Sequence, residues 1–357
     1  MRILQIIDSL EIGGAEKMAV NYANALSNKI EFSGLVATRK EGMLKKQINK
    51  NVNYLFLNKK KAIDFKAIYE LREYCKKNKI DFLHAHGSSF FTAFLVKLTL
   101  FKLKIIWHDH NGLREDTSKK ESFVLKVASF FFNGIVVVNY QLKNWAIKEL
   151  NCKKVIYLAN FTTQNAVEEK RTNLKGIDGK KIVCLANLRF PKNHLLLIDV
   201  AKRLKISNPD WSFHLVGKDY QDTYSDKLKS EISTNKLENQ IYLYGSKNDT
   251  KNIINQAEIA ILTSQSEGLP VALLEYGLNK KPVVSTNVGE IPLIIKNEEN
   301  GFLVSKFDSN EFYASLIKLI DSKDLRIKFG NTLFETINLN NSENAIIELY
   351  SNWIQKK

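Results

Sequence analysis

One constraint narrows the fold more than any other: short apolar runs alternate with stretches of helical periodicity along nearly the whole chain. Parallel strands cannot be joined by tight hairpins, so each connection must cross the sheet, usually as a helix. Alternation of this kind therefore predicts α/β domains with parallel sheets. In the first half the strand-like runs are 2–7, 34–38, 53–57, 82–85, 104–107, 135–138 and 155–157, with helices over 16–26, 65–77, 90–100, 123–132 and 141–150. Residues 164–180 are polar and hold two glycines, and they read as a linker. The alternation then restarts, with strands at 181–186, 212–216, 241–244, 259–263, 283–286 and 302–304 and helices at 194–204, 224–234, 271–278 and 311–320. A last helix is expected within 342–357, opened by Ser342-Glu343-Asn344 and closed by two lysines. At 357 residues there is chain enough for two doubly wound domains, 1–163 and 181–341, each with its own core.

The stretch from Glu267 to Glu275 carries the most chemistry. Its two carboxylates stand eight positions apart, with Gly268, Leu269 and Pro270 between them at the start of the helix over 271–278. Proline is tolerated at a first helical position, and the N–H groups there attract anions. An apolar strand precedes it, so both glutamates fall at the carboxyl edge of a parallel sheet, where open α/β folds bind ligands. The expected ligand is a polyol attached to a phosphate.

Other loops at strand ends add to this. Gly13 and Gly14 follow the first strand and open the first helix, where backbone can approach a phosphate or sugar closely. The spacing is not that of a dinucleotide fingerprint. After the first strand of the second half come Arg189 and Lys192, two cations suited to a diphosphate. Gly217 and Gly245 follow the next two strands, and Gly289 lies in a further turn. His108 and His110 share one side of an extended segment, with His84 and His86 at the end of the preceding strand. A histidine there can accept a hydrogen bond or a proton. With no third ligand evident nearby in sequence, no metal site is expected.

Charge and cysteine content limit the setting. Residues 1–160 hold 27 Lys/Arg against 14 Asp/Glu, whereas the rest is nearly balanced. A basic half fits an anionic membrane surface or a phosphorylated acceptor. The clusters at 59–61 and 76–79 lack the interleaved aromatics of a nucleic-acid reader, so no nucleic acid is expected. Cys75, Cys152 and Cys184 form no C-x-x-C pair and fit a reducing compartment. The N-terminal run is broken by Asp8 and reads as a strand, and the apolar segment 90–101 is too short to span a bilayer.

These residues, in this order, resemble the retaining glycosyltransferase family 4, with two Rossmann-like domains in the GT-B arrangement, facing across a cleft. Glu267 to Glu275 matches the family's paired glutamates, Gly13 to Glu16 its N-terminal Gly-Gly-Ala-Glu, and Arg189 with Lys192 its basic loop. The resemblance implies transfer of a sugar from a nucleotide diphosphate sugar, UDP-sugars being the commoner choice, with retained configuration and neither metal nor other cofactor. It implies that Glu275 holds the donor ribose, and that Glu267 with the Gly268 and Leu269 amides binds the donor sugar. Lys192, helped by Arg189, would neutralise the leaving diphosphate, which Gly14 approaches, and Gly217 stands where a donor nucleotide can lie alongside. His110 would lie near the transferred sugar, Gly13 and His86 on the acceptor side, and the last helix would cross back to the first domain. The acceptor would be a glycan or lipid-linked sugar in cell-surface polysaccharide synthesis, met in the cytoplasm or on the membrane's inner face. Three positions depart from the family: Ala186-Asn187 replaces Gly-Arg, Glu290 replaces the second glycine of a Gly-Gly, and Leu293 replaces an acidic residue. A nucleotide-sugar 2-epimerase of the same fold is the nearest rival, distinguished by needing no acceptor. A non-catalytic basic scaffold is another.

Overall fold

The computed structural model describes residues 1–111, 119–161, 171–305 and 307–356, with the side chains of 119–122 outside that set. The chain divides into two compact units, residues 1–163 with 343–357, and residues 164–342. Of the expected linker, 164–170 lie outside the described residues. Just beyond them, Asp249 accepts from the Arg171 and Thr172 amides at 2.9 and 2.7 Å and from the Thr172 hydroxyl at 2.8 Å.

The first unit runs β1 (Arg2–Ser9), α1 (Gly14–Leu26), β2 (Phe32–Lys40), β3 (Asn53–Phe56), α2 (Phe65–Lys77), β4 (Phe82–His86), α3 (Phe90–Lys97), β5 (Lys104–Asp109), α4 (Lys119–Ala128), β6 (Phe132–Val137), α5 (Tyr140–Glu149) and β7 (Val155–Tyr157). The second unit runs β8 (Lys181–Leu185), α6 (Leu196–Ser207), β9 (Ser212–Val216), α7 (Thr223–Thr234), β10 (Ile241–Leu243), α8 (Thr250–Asn255) and β11 (Ile259–Leu262). It continues with α9 (Val271–Leu278), β12 (Val283–Thr286), α10 (Ile291–Ile294), β13 (Phe302–Val304), α11 (Ser309–Asp321) and α12 (Lys323–Asn340). The last helix, α13 (Glu343–Gln355), belongs to the first unit.

Both sheets pair in parallel throughout. Their orders are β3-β2-β1-β4-β5-β6-β7 and β10-β9-β8-β11-β12-β13. In each, the order reverses beside the first strand, between β1 and β4 and between β8 and β11. Loops leaving those neighbouring strands depart in opposite directions and open a crevice, the place where doubly wound sheets take ligands.

Strand period places the cores. In the first unit Leu4, Ile6, Leu83, Ala85, Ile105 and Trp107 point to one face, against α2 and α3. On the opposite face Ile7, Leu35 and Ala37 meet Ala19, Val20 and Ala23 of α1. The second core gathers Ile182, Cys184, Phe213, Ile259, Ile261 and Val284 under Leu197, Leu204, Phe312 and Leu316. All three cysteines are buried and free. Side-chain caps start several helices: Asp64 accepts from Ala67 N, Asn139 from Leu142 N, and Ser322 from Leu325 N. Each such cap contributes about 1 kcal/mol.

The structure departs from expectation in four places. The longest helix, α12, was not foreseen. Phe329, Leu333 and Ile337 form its buried stripe, but exposed Ile327 and Leu339 blur the periodicity. The short α8 and α10 were also missed. The helix expected over 123–132 begins and ends four residues earlier, and Phe132 instead opens β6. Finally, α6 begins at Leu196 because Asn193 adopts a left-handed conformation, φ 50°, between the preceding 3-10 turn and the helix.

Tyr276 locks the second unit's site-bearing strands together. Its hydroxyl, fully buried, accepts from Leu185 N at 2.6 Å at the end of β8, and its own helix α9 follows β11. Replacing it with Phe leaves the Leu185 N–H without a partner. Tyr276→Phe should lose about 1–3 kcal/mol of unfolding free energy in a urea titration; an unchanged midpoint would rule out this tether.

Candidate functional site

In the second unit the site is built from the loops that follow β8 and β11. After β8 the chain runs through Asn187 and Arg189 into a 3-10 turn, Phe190–Lys192. After β11 it passes Thr263 and Ser264 to Glu267. The two loops are stitched together: Gln265 N donates to Pro191 O at 2.8 Å, and Thr263 Oγ1 to Lys192 O at 2.8 Å. Lys192 Nζ reaches Glu267 Oε1 at 2.5 Å, and Ser264 Oγ donates to the same oxygen at 2.6 Å. The Glu267 side chain is only 9% exposed and that of Lys192 29%. A cation and an anion are thus fixed side by side, partly screened from water, at the reversal point of the sheet.

Two glycines permit close backbone approaches at this sheet edge. Gly217, after β9, stands so near the β8 strand end that a Cβ would lie 2.1 Å from Ala186 O. There Asn187 Oδ1 accepts from Lys218 N at 2.8 Å, joining the two strand ends. Gly289 has φ 57°, and a Cβ on it would lie 2.0 Å from Glu267 O. The Glu290 amide then donates to Gly268 O at 3.1 Å. The loop from 286 to 290 is therefore the floor on which Glu267 rests.

Glu275 lies on α9, half-buried, with Thr250 Oγ1 3.4 Å from its Oε1. Leu269 is buried, and Pro270 is the N-cap of α9, one position before the first-turn place expected for it. Arg189 is exposed and does not join the Lys192–Glu267 pair. Its guanidinium sits 5.4 Å from the centre of the Tyr220 ring, which Lys218 also approaches at 5.0 Å. Sequence reasoning missed Ser264, Thr263, Asn187 and Tyr220. Only Ser264, three residues before Glu267, carried a signal, as part of the same motif.

In the first unit Gly13 is the extended N-cap of α1, and neither Gly13 nor Gly14 has a positive φ. A Cβ on Gly14 would meet nothing within 4 Å, while one on Gly13 would meet only the carboxylate tip of Glu16. The pair leaves an open, flat helix start. At the end of β4, across the reversal point, His86 Nδ1 lies 2.8 Å from His110 Nε2, and His86 Nε2 lies 2.8 Å from Gln5 Oε1. With the Gln5 oxygen so assigned, His86 carries its proton on Nε2 and accepts from His110 Nε2. Burial pushes the His110 imidazole down to about 4, opposed by the nearby Asp109 charge, so at neutral pH it is uncharged.

Sequence gave no third metal ligand near His108 and His110, but the fold supplies one. His86 pairs with His108 in register, and His84 stands two residues earlier on the same face of β4. Each of His84, His86 and His108 offers a nitrogen within 4.8 Å of the others. Burial holds all three well below the usual imidazole range.

The arrangement in the second unit can bind an anion beside a hydroxyl-rich group, and the chain's similarities agree with that chemistry. Residues 12–210 match the family described as Glycosyltransferase Family 4, and residues 165–335 match Glycosyl transferases group 1. An Escherichia coli UDP-Gal:alpha-D-GlcNAc-diphosphoundecaprenol alpha-1,3-galactosyltransferase is 24% identical, over 92% of this chain and 90% of its own length. The Staphylococcus aureus capsular polysaccharide biosynthesis glycosyltransferase CapH is 25% identical over 96% and 97% respectively. Among solved structures, Anabaena Alr3699/HepE in complex with UDP and glucose superposes with a TM-score of 0.83 at 16% identity, covering all of both chains. That last likeness concerns the fold.

The floor under Glu267 can be tested directly. Gly289→Ala introduces strain at a positive φ and a clash with Glu267 O, and should lower stability by about 1–3 kcal/mol. Thermal unfolding of the purified variant checks this, and a midpoint equal to wild type would mean the loop has room to spare.

Proposed function

Because this chain belongs to glycosyltransferase family 4, we propose that it transfers a sugar, with retained configuration, from a UDP-sugar to a glycan or lipid-linked acceptor in polysaccharide synthesis. The observation that carries the reading is the Lys192–Glu267 pair at the end of β8 and β11. Departure of a nucleoside diphosphate develops negative charge. A fixed cation in a partly desolvated site stabilises that charge without reorganising at the moment of reaction. In this reading the diphosphate exchanges with Glu267 for Lys192, and Glu267 turns to the donor sugar's hydroxyls with the Gly268 and Leu269 amides. Glu275 holds the ribose, Gly217 lets the nucleotide lie alongside the strand end, and Gly14 is a donor-binding position of the first unit. Arg189, held over Tyr220, adds charge at the rim. His110, neutral at working pH, acts as a hydrogen-bond partner to the transferred sugar, and Gly13 and His86 border the acceptor. No metal is assigned a step. The donor nucleotide is supported by the UDP-Gal of the E. coli relative and the UDP held by the Anabaena protein.

Purified protein incubated with UDP-, GDP- and ADP-sugars and candidate acceptors tests this, with product formation read by mass spectrometry. Transfer should depend on a UDP-sugar and on the acceptor. Conversion of the nucleotide sugar without an acceptor would instead identify an epimerase. Lys192→Ala and Glu275→Ala should each reduce kcat/KM by at least about 10²-fold with the fold unchanged by circular dichroism. Wild-type turnover in both would remove these residues from the site.

We further propose that the first unit works against the inner face of an anionic membrane. Phe65, Phe101, Phe123 and Phe130 stand exposed on it amid its surplus of lysines, and that pairing of ring and cation suits a headgroup layer. Among the described residues no helix is long and apolar enough to cross a membrane. Co-sedimentation with phosphatidylglycerol vesicles should be strong at low salt and fall as salt rises, with no binding to neutral phosphatidylcholine vesicles. Failure to sediment with either at low salt would leave the positive charge as a solvated surface only.

A further inference from the structure

The face of β4 and β5 that lies under α1 and α13 is not apolar like its neighbours. It carries His84, His86 and His108, all buried, roofed by Tyr22 of α1 and Tyr350 of α13. Four polar atoms on this one face lack a protein partner: Tyr22 OH, His84 Nε2 and both ring nitrogens of His108. Burying an amide or hydroxyl without a partner costs about 1–3 kcal/mol by mutational measures, so such a group calls for a reason. Here the orphaned atoms converge.

We infer that His84, His86 and His108 form a zinc-class metal site enclosed in the first unit. The three are the donor set that zinc takes when it leaves one position open. They come from two adjacent strands: His84 and His86 at a two-residue spacing on one face, His108 directly across from His86. The set is all imidazole nitrogen, which selects zinc, copper or nickel over magnesium or calcium. Its outer partners are also in place. Tyr350 OH lies 2.8 Å from His84 Nδ1, and Gln5 Oε1 lies 2.8 Å from His86 Nε2. Those contacts fix the His84 and His86 rings through the nitrogen that does not bind metal, as second partners of metal-bound histidines commonly do, while His108 has no such partner. They leave His84 Nε2 and His86 Nδ1 as ligand atoms, with either nitrogen of His108 as the third. Zinc–nitrogen bonds of about 2.0–2.1 Å put tetrahedral ligand atoms about 3.3 Å apart, so from a present spread of up to 4.8 Å the rings must draw together and turn out of the stack in which His84 lies against His86 and His108. His86 must also exchange its contact with His110 for the metal. Tyr22, its hydroxyl unpartnered, lies against the same cluster with its ring 6.0 Å from that of His86. This site shares His86 with the acceptor side proposed above, and its metal is assigned no step in the transfer.

The test uses the full chain, produced in zinc-supplemented medium and dialysed against EDTA. Mass-spectrometric metal analysis should find about one zinc per chain. His84→Gln and His108→Gln should lose it, while His214→Gln, at a buried histidine of the second unit, should keep it. Tyr350→Phe should fold and bind zinc on the order of 10-fold more weakly, as expected for a lost outer partner. Protein produced with cobalt should show the visible absorption of a tetrahedral nitrogen site. Should either histidine variant fail to fold, the cobalt spectrum of wild type and the Tyr350→Phe affinity still decide. Absence of both zinc and the cobalt spectrum in wild type would overturn the inference, as would metal retained equally in folded His84→Gln and His108→Gln.

Discussion

Parallel pairing is the constraint on which everything else rests. Because no strand can turn back on its neighbour, each helix must cross over, and right-handed crossovers force the order to reverse wherever the chain winds first one way and then the other. That reversal falls beside β1 in one sheet and beside β8 in the other. It decides which loops can diverge, and so where backbone amides and short polar side chains can face something other than protein. Gly13, His86, Lys192 and Glu267 sit on loops or strand ends flanking those two points. Their side chains differ, but one topological cause selects their positions.

The Lys192–Glu267 contact would be a poor device for holding a protein together. A largely buried ion pair gains Coulomb energy but loses hydration of both partners, and the balance is often near zero. Ser264 and the tight Gly289 turn hold the carboxylate where it is, and the carboxylate in turn defines the lysine's position. An arrangement with small net stability and high positional order suits binding better than it suits folding.

Much of this was legible in the sequence, for specific reasons. The strands among the described residues were foreseen, the central ones because a strand buried on both faces is a short, dense run of branched residues, as in β11 and β12. Glu267 and Glu275 were legible because both lie within one continuous motif. By contrast α12 was missed since its buried stripe is three residues deep and its exposed face carries Ile327 and Leu339. Asn187, Tyr220 and Gln5 were invisible for another reason. Each matters only through a residue 31 to 81 positions away or on a neighbouring loop, and such contacts exist only once the sheet is closed. The three-histidine cluster belongs here too: spacing reveals His-x-His twice, but only the register between β4 and β5 makes it one group.

That register bears on why the histidines are there at all. The opposite face of the same two strands holds Leu83, Ala85, Ile105 and Trp107, so nothing about the sheet itself demands polarity. Apolar residues at 84 and 108 would remove the three orphaned ring nitrogens of His84 and His108, although Tyr350 OH would then lose the partner it has in His84. A single buried histidine with both nitrogens satisfied is unremarkable, and His214, bonded to Ser212 at 3.0 Å and Tyr244 at 3.0 Å, is one in this chain. His108, with neither nitrogen satisfied by protein, is its opposite. The contrast between these two histidines, equally enclosed and oppositely served, is the strongest physical reason to treat the cluster under α1 and α13 as a place for a ligand rather than as packing.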